Sequence, residues 1–216
     1  MEEKFYVKIC GITTLSDAEF CANEGADLLG FVFHPHSKRK CSLEEADKIF
    51  YRYIRVPKVL VFGYDDEDYI VEIYTRYASI LTFVQIPADH PDFWFIRRRI
   101  GIHKIIPVVY VDRELDEEDL LDVEDHSLII FDTPPQRTGV AGGSGQSFNW
   151  DYIAHIERPF LLAGGIDCSN VCEAMRRVAP LGFDVSSGLE ASYGKKDRDK
   201  ILKFLNILRY PSHYCP

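Results

Sequence analysis

The chain has 216 residues, 46% hydrophobic and 27% charged, a balance that excludes wholesale disorder and suits one large globular domain over residues 1–216. Its formal net charge is −9 and no basic stretch exceeds Arg97-Arg98-Arg99, which argues against a nucleic-acid partner. No apolar run approaches the roughly 18 residues of a membrane helix, and the acidic start Met1-Glu2-Glu3-Lys4 is unlike an export signal, so neither membrane nor export is expected.

The first strand is expected over 5–10. With period two, Lys8 and Cys10 face one way and Val7 and Ile9 the other. A cysteine in an apolar strand is most simply a small buried filler; at the mouth of a barrel it would be a thiolate that shuttles protons. A helix over 15–23 follows, with Gly25 suited to a left-handed end. The second strand, 27–33, leads into His34-Pro35-His36-Ser37-Lys38-Arg39-Lys40. Both histidines, Lys38 and Lys40 read as solvated surface, whereas Arg39 has the planar fork suited to gripping a carboxylate. Ser42-Leu43-Glu44-Glu45 fits a capping box opening a helix over 43–53.

Strands are then expected at 58–62, 80–85 and 104–111, and helices at 67–78, 91–100 and 114–122, with Pro87 and Pro91 crowding the entrance to the second of these helices. Strand 127–132 ends in Asp132 after Leu128-Ile129-Ile130-Phe131. A carboxylate closing so apolar a run either caps the following loop or, desolvated, carries a raised pKa and acts as an acid. The loop over 133–148 is too long for a plain connection and holds Gly142-Gly143-Ser144-Gly145. A helix over 149–155, strand 160–163 with Gly164-Gly165, a helix over 170–178, strand 182–186 with Ser186-Ser187-Gly188, and a helix over 197–208 complete the chain.

Eight strand-then-helix units of about 27 residues each predict a single (β/α)8 TIM barrel in the α/β class. Most strands are apolar at consecutive positions, as parallel strands covered on both faces are. A doubly wound open sheet is the rival, but its glycine fingerprint follows the first strand, and here the glycines cluster late. In a barrel the carboxyl ends of the strands form the active face, and phosphates sit after the last strands. There Gly143, Ser144 and Gly145, Gly164 and Gly165, and Ser186, Ser187 and Gly188 offer backbone amides and hydroxyls to a phosphate. Either these clusters bind a phosphorylated small molecule or they are merely tight turns.

The six cysteines are irregularly spaced, which suggests no disulfide framework and a reducing, cytoplasmic setting. Cys168 and Cys172 lack a second ligand pair and His90, His103, His126, His155 and His213 are scattered, so no metal is expected.

Lys8-Ile9-Cys10-Gly11-Ile12-Thr13, Asp17-Ala18, Gly25-Ala26-Asp27 and Gly30-Phe31-Val32-Phe33 resemble the opening of the phosphoribosylanthranilate isomerase family of tryptophan biosynthesis. So do Asp132-Thr133, the stretch Gly142-Gly143-Ser144-Gly145-Gln146-Ser147-Phe148-Asn149-Trp150, and Leu162-Ala163-Gly164-Gly165-Ile166 with Asn170-Val171. The most specific match is Phe183-Asp184-Val185-Ser186-Ser187-Gly188-Leu189-Glu190 with Gly194-Lys195-Lys196-Asp197; the likeness covers nearly the whole chain and is thinnest over 64–124.

The resemblance implies a cofactor-free barrel that rearranges N-(5-phosphoribosyl)anthranilate to 1-(2-carboxyphenylamino)-1-deoxyribulose 5-phosphate. It implies Asp132 as general acid, Cys10 as general base, Arg39 on the anthranilate carboxylate, and Asp184 accepting from the bridging amine. The chain departs from the family's Gln-Leu-His-Gly-Asp/Glu after strand four with Gln85-Ile86-Pro87-Ala88-Asp89, and from its Ser-Pro-Arg with Ser37-Lys38-Arg39; Asn149 stands where aspartate is common. Two other readings fit the same scaffold: another phosphosugar isomerase or epimerase, or a catalytically silent barrel that binds a phosphorylated ligand. Nothing in the residues chooses between a monomer and a homodimer.

Overall fold

The computed structural model describes residues 4–52, 54–135 and 147–215. Eight parallel strands close into a barrel in the order β1 to β8. They are β1 (Tyr6–Cys10), β2 (Leu28–Val32), β3 (Lys58–Val61), β4 (Thr82–Pro87), β5 (Ile105–Tyr110), β6 (Ile129–Asp132), β7 (Phe160–Leu162) and β8 (Gly182–Val185). Every strand lies where the apolar runs place it, and the closed barrel excludes the open sheet.

Period-two alternation divides each strand between two cores. Val7, Ile9, Leu29, Phe31, Ile129 and Phe131 face outward into the layer between sheet and helices. Val59, Ile106, Val108, Ile130, Leu161 and Ala163 face inward and fill the barrel. Lys8 is also inward and fully buried, so this apolar interior contains a charge near its first strand.

The outer layer holds α1 (Leu15–Glu24), α2 (Leu43–Phe50), α3 (Glu67–Tyr77), α4 (Phe93–Ile100), α5 (Val171–Val178), α6 (Arg198–Arg209) and the short α7 (Pro211–Tyr214). Gly25 ends α1 at φ 103, as its position predicts. Ser42 accepts from the Glu45 amide at 3.1 Å, but the Glu45 carboxylate bonds the Leu15 amide at 3.2 Å instead of reaching back to its own cap. Tertiary contact between α1 and α2 therefore takes over half of the local capping box.

Two expected helices are corrected. The segment expected at 114–122 forms a 3-10 turn, Glu118–Val123, and the one at 149–155 another, Trp150–Ile153. In the first, Asp122 stands three residues from Asp119 and four from Glu118, like charges at the spacings that weaken an α-helix. Asp116 draws the amides of Glu118 and Asp119 into an Asx turn. In the second, the Asn149 side chain accepts from the Asp151 amide at 3.2 Å, an Asx turn at the segment's start.

The cysteine expectation is corrected as well. Cys172 on α5 and Cys215 after α7 form a disulfide across 43 residues, with Cα atoms 5.2 Å apart. The turn of α7 brings the chain end back over α5, a proximity that cysteine spacing does not encode. Cys10, Cys21, Cys41 and Cys168 are free thiols. No described helix is long and apolar enough to cross a membrane.

Candidate active site

The carboxyl ends of the strands surround an open cavity of about 110 Å³. Cys10, Arg39, Asp132, Gly164, Gly165, Asp184, Ser186 and Ser187 all line it. Gly188 follows in the 3-10 turn Ser187–Leu189, while Gly143, Ser144 and Gly145 lie outside the described residues. The strands β1 and β6 are not neighbours, so Cys10 and Asp132 face the cavity from separate parts of the rim.

Asp132 ends β6 with its Oδ1 accepting from the Thr133 amide at 2.7 Å. Burial and the nearby Asp184 charge push its carboxyl up to about 7, against the pull of that hydrogen bond and of Lys8. Gly164 holds φ +81, and a Cβ there would strike Thr133 Oγ1 and sit 3.1 Å from Asp132 Oδ1. The glycine loop after β7 thus lies directly against this carboxyl, a place where only glycine meets both demands.

Asp184 is in register with Lys8 across the β1–β8 seam. Its Oδ2 accepts from Lys8 Nζ at 2.7 Å, while its buried Oδ1 has no protein partner among the described residues. Gln85 Oε1 and Ser186 Oγ are likewise buried without a partner, and both residues line the same cavity. Buried polar groups are rarely left unpaired, and three around one cavity mark a surface built to bond a ligand. Burial raises the Cys10 thiol above its usual 9.0, opposed chiefly by the charge of Lys8.

Arg39 reaches the cavity because its loop folds back, with Lys40 bridging Val32 and the Arg39 amide donating to Ser37 Oγ at 3.1 Å. Its Nε and Nη2 donate to Glu190 at 2.9 Å each, and its guanidinium carbon lies 4.8 Å from the Tyr193 ring centre. Glu190 also accepts from Lys196 Nζ at 3.0 Å. Burial works against the Glu190 carboxylate, but Arg39 and Lys196 outweigh it and hold its pKa low. With one edge of the fork held, the Nη1 side is left for a ligand. The expected solvated surface holds for His36, Lys38 and Lys40 but not for His34. The His34 ring lines the cavity with its Nδ1 2.9 Å from Asp65 Oδ1.

Glu190 and Lys196 stand outside the elements that periodicity marks, and the sequence alone gives Lys8 no role. A lysine between Val7 and Ile9 in an apolar strand was the available sign for Lys8. Glu190 and Lys196 belong to the unexpected hairpin of β9 (Glu190–Ser192) and β10 (Lys195–Lys196), so no periodicity pointed to them. The altered stretch after β4 is built in: Pro87 ends the strand, and Asp89 accepts from Tyr64 Oη at 2.8 Å. Among the described residues no cluster of three His, Cys, Asp or Glu could hold a metal ion.

Residues 7–207 match the family described as N-(5'phosphoribosyl)anthranilate (PRA) isomerase. An N-(5'-phosphoribosyl)anthranilate isomerase of Leptospira borgpetersenii serovar Hardjo-bovis is 40% identical over 212 residues, 96% of both chains. The crystal structure of phosphoribosyl anthranilate isomerase from Thermotoga maritima superposes with a TM-score of 0.78 at 36% identity, over 95% of this chain and 98% of that one. Another, solved in complex with reduced 1-(o-carboxyphenylamino)-1-deoxyribulose 5-phosphate, gives a TM-score of 0.75 at 34% identity, over 95% and 98%. Closed barrel, matching span and overall identity agree: this chain belongs to the N-(5'-phosphoribosyl)anthranilate isomerase family.

Proposed function

We propose that this chain catalyses the Amadori rearrangement of N-(5-phosphoribosyl)anthranilate to 1-(2-carboxyphenylamino)-1-deoxyribulose 5-phosphate, a step of tryptophan biosynthesis. The observation that carries it is Cys10 and Asp132 on one cavity with Arg39 and Asp184. A carboxyl group with a pKa near 7 is poised to give up a proton at neutral pH. Asp132 protonates the ribose ring oxygen; the C1–O bond breaks as the anilino nitrogen pair forms the iminium. The Cys10 thiolate then takes the C2 proton, and the C–H pair moves into a C1–C2 double bond while the iminium pair returns to nitrogen. The resulting enolamine tautomerises to the ketone.

Arg39 grips the anthranilate carboxylate with the edge that Glu190 leaves, and the unpartnered Oδ1 of Asp184 accepts from the bridging amine. The backbone of Gly164, Gly165, Ser186, Ser187 and Gly188, joined by that of Gly143, Ser144 and Gly145, takes the phosphate. A plain sugar phosphate would offer Arg39 no carboxylate, which disfavours the other phosphosugar reactions. The small phosphorylated substrate is its partner, and the chain works as one (β/α)8 unit without a cofactor. The cytoplasm is its compartment: four of six cysteines are thiols, and the reaction needs one of them reduced.

The experiment is growth without tryptophan of a strain that lacks this isomerase, carrying this gene or its Cys10→Ala or Asp132→Asn variant. Growth with the first alone, and turnover by the purified variants reduced at least ~10²-fold, is expected. No growth with the unaltered gene, or variants as active as the parent, overturns the reading.

A further inference from the structure

We propose that Lys8 is the charge partner of the Cys10 base: its ammonium, held in place by Asp184, stabilises the thiolate that removes the C2 proton. The inference deepens the isomerase reading and rests on it for the identity of the reaction.

The geometry begins with β1. Lys8 and Cys10 are two residues apart on the strand's inward face, and Lys8 is completely buried. A buried ammonium is held only where partners replace water. Asp184 supplies one at 2.7 Å, from the register position directly beside Lys8. The Cys10 thiol is the next polar group along the same face of the strand, and its charge as thiolate adds to that of Asp184 in favouring the ammonium. Gly30 on β2 shows how close they are: a Cβ there would lie 2.8 Å from Cys10 Sγ and 3.0 Å from Lys8 Nζ. Glycine leaves the space in which cation and sulfur meet.

The charges around the sulfur come from three elements: Lys8 of β1, Asp184 of β8 and Lys196 of β10. Asp184 opposes the thiolate and the two lysines favour it, Lys8 most strongly. Lys196 is committed to Glu190 and the Ser186 carbonyl, and Glu190 in turn to Arg39. Asp132 of β6 faces the same pair, its carboxyl opposed by Asp184 and drawn down by Lys8. Burial works against the Lys8 ammonium, but Asp184 and Cys10 outweigh it and keep its pKa above the usual value. Lys8 therefore stays charged wherever the enzyme works and serves as a fixed cation, not as a proton carrier. In the step itself the S–H bond forms as C2–H breaks, and the negative charge leaves the sulfur while that of Asp184 still balances Lys8.

The test is alkylation of Cys10 by iodoacetamide in the full chain from about pH 7 to pH 11, read by peptide mass spectrometry. Lys8→Met is compared with the parent, and Lys8→Met/Asp184→Asn with Asp184→Asn, so that a folded pair remains if the lone buried carboxylate unfolds the first variant. Loss of the cation is expected to raise the alkylation midpoint by at least about one pH unit, a ~10-fold slower reaction below it. Loosened packing would expose the thiol and speed the reaction, the opposite sign. A midpoint that stays or falls in the pair that folds overturns the proposal. The measurement uses no substrate, so its result stands apart from whether N-(5-phosphoribosyl)anthranilate is turned over.

Discussion

Lys8 and Asp184, 176 residues apart, meet at 2.7 Å across the seam where the first strand closes on the last. The pair divides the carboxylate: Oδ2 goes to the barrel's own lysine, and Oδ1 is left without a protein partner. One residue thus closes the fold and presents an acceptor to the cavity. It also places a negative charge near Asp132, which helps raise that carboxyl to about 7.

Asp132 has a consequence for stability. Its folded pKa of about 7 lies above the ordinary 3.8, so between those values the folded chain binds more protons than the unfolded one. Stability contributed below pH 4 is therefore lost as pH rises towards 7. Asp132→Asn, which cannot ionise, is expected to melt above the parent at pH 8 and close to it at pH 4. Thermal unfolding at the two values checks this, and an equal difference at both would show that the carboxyl is not desolvated.

The Arg39–Glu190 contact separates binding from chemistry. Arg39→Ala is expected to raise KM with a smaller change in kcat, because the carboxylate grip acts on ground state and transition state alike. Glu190→Gln leaves Arg39 and Lys196 without their shared carboxylate and is expected to raise KM as well. Removing one partner of a buried pair also costs about 3 kcal/mol of stability, visible in urea unfolding. An unchanged KM in Arg39→Ala would remove the carboxylate assignment.

Gly30 is predicted to be intolerant of even one methyl group. The added Cβ would lie 3.0 Å from the Cys10 Cα, which is backbone and cannot swing aside, besides meeting the thiol and the Lys8 ammonium. Gly30→Ala is expected to cost about 1–3 kcal/mol through overpacking and to lower kcat by displacing the sulfur. Unfolding and steady-state turnover test both parts; a variant equal to the parent in both would mean that the space beside Cys10 is slack.

The strands were readable because each is a local matter. Runs such as Leu128-Ile129-Ile130-Phe131 can be satisfied only by burial on both faces, and crossover-length spacing between them leaves parallel pairing as the solution. Cys10, Asp132, Gly164 and Ser186 were found for the same reason, since each stands at or just beyond a strand's carboxyl end. Arg39 was found by its chemistry, in a loop whose two lysines are solvent-exposed.

What order along the chain determines is thus the barrel and which residues reach its mouth, because periodicity and strand ends are written into a few neighbouring residues. Tertiary structure alone decided who pairs with whom. The link of Lys8 to Asp184, the Glu190 clamp between Arg39 and Lys196, the Cys172–Cys215 crosslink and the diversion of Glu45 to Leu15 all join distant positions. Charges and hydrogen-bonding groups act over a few ångströms in space, and only the folded chain sets those distances.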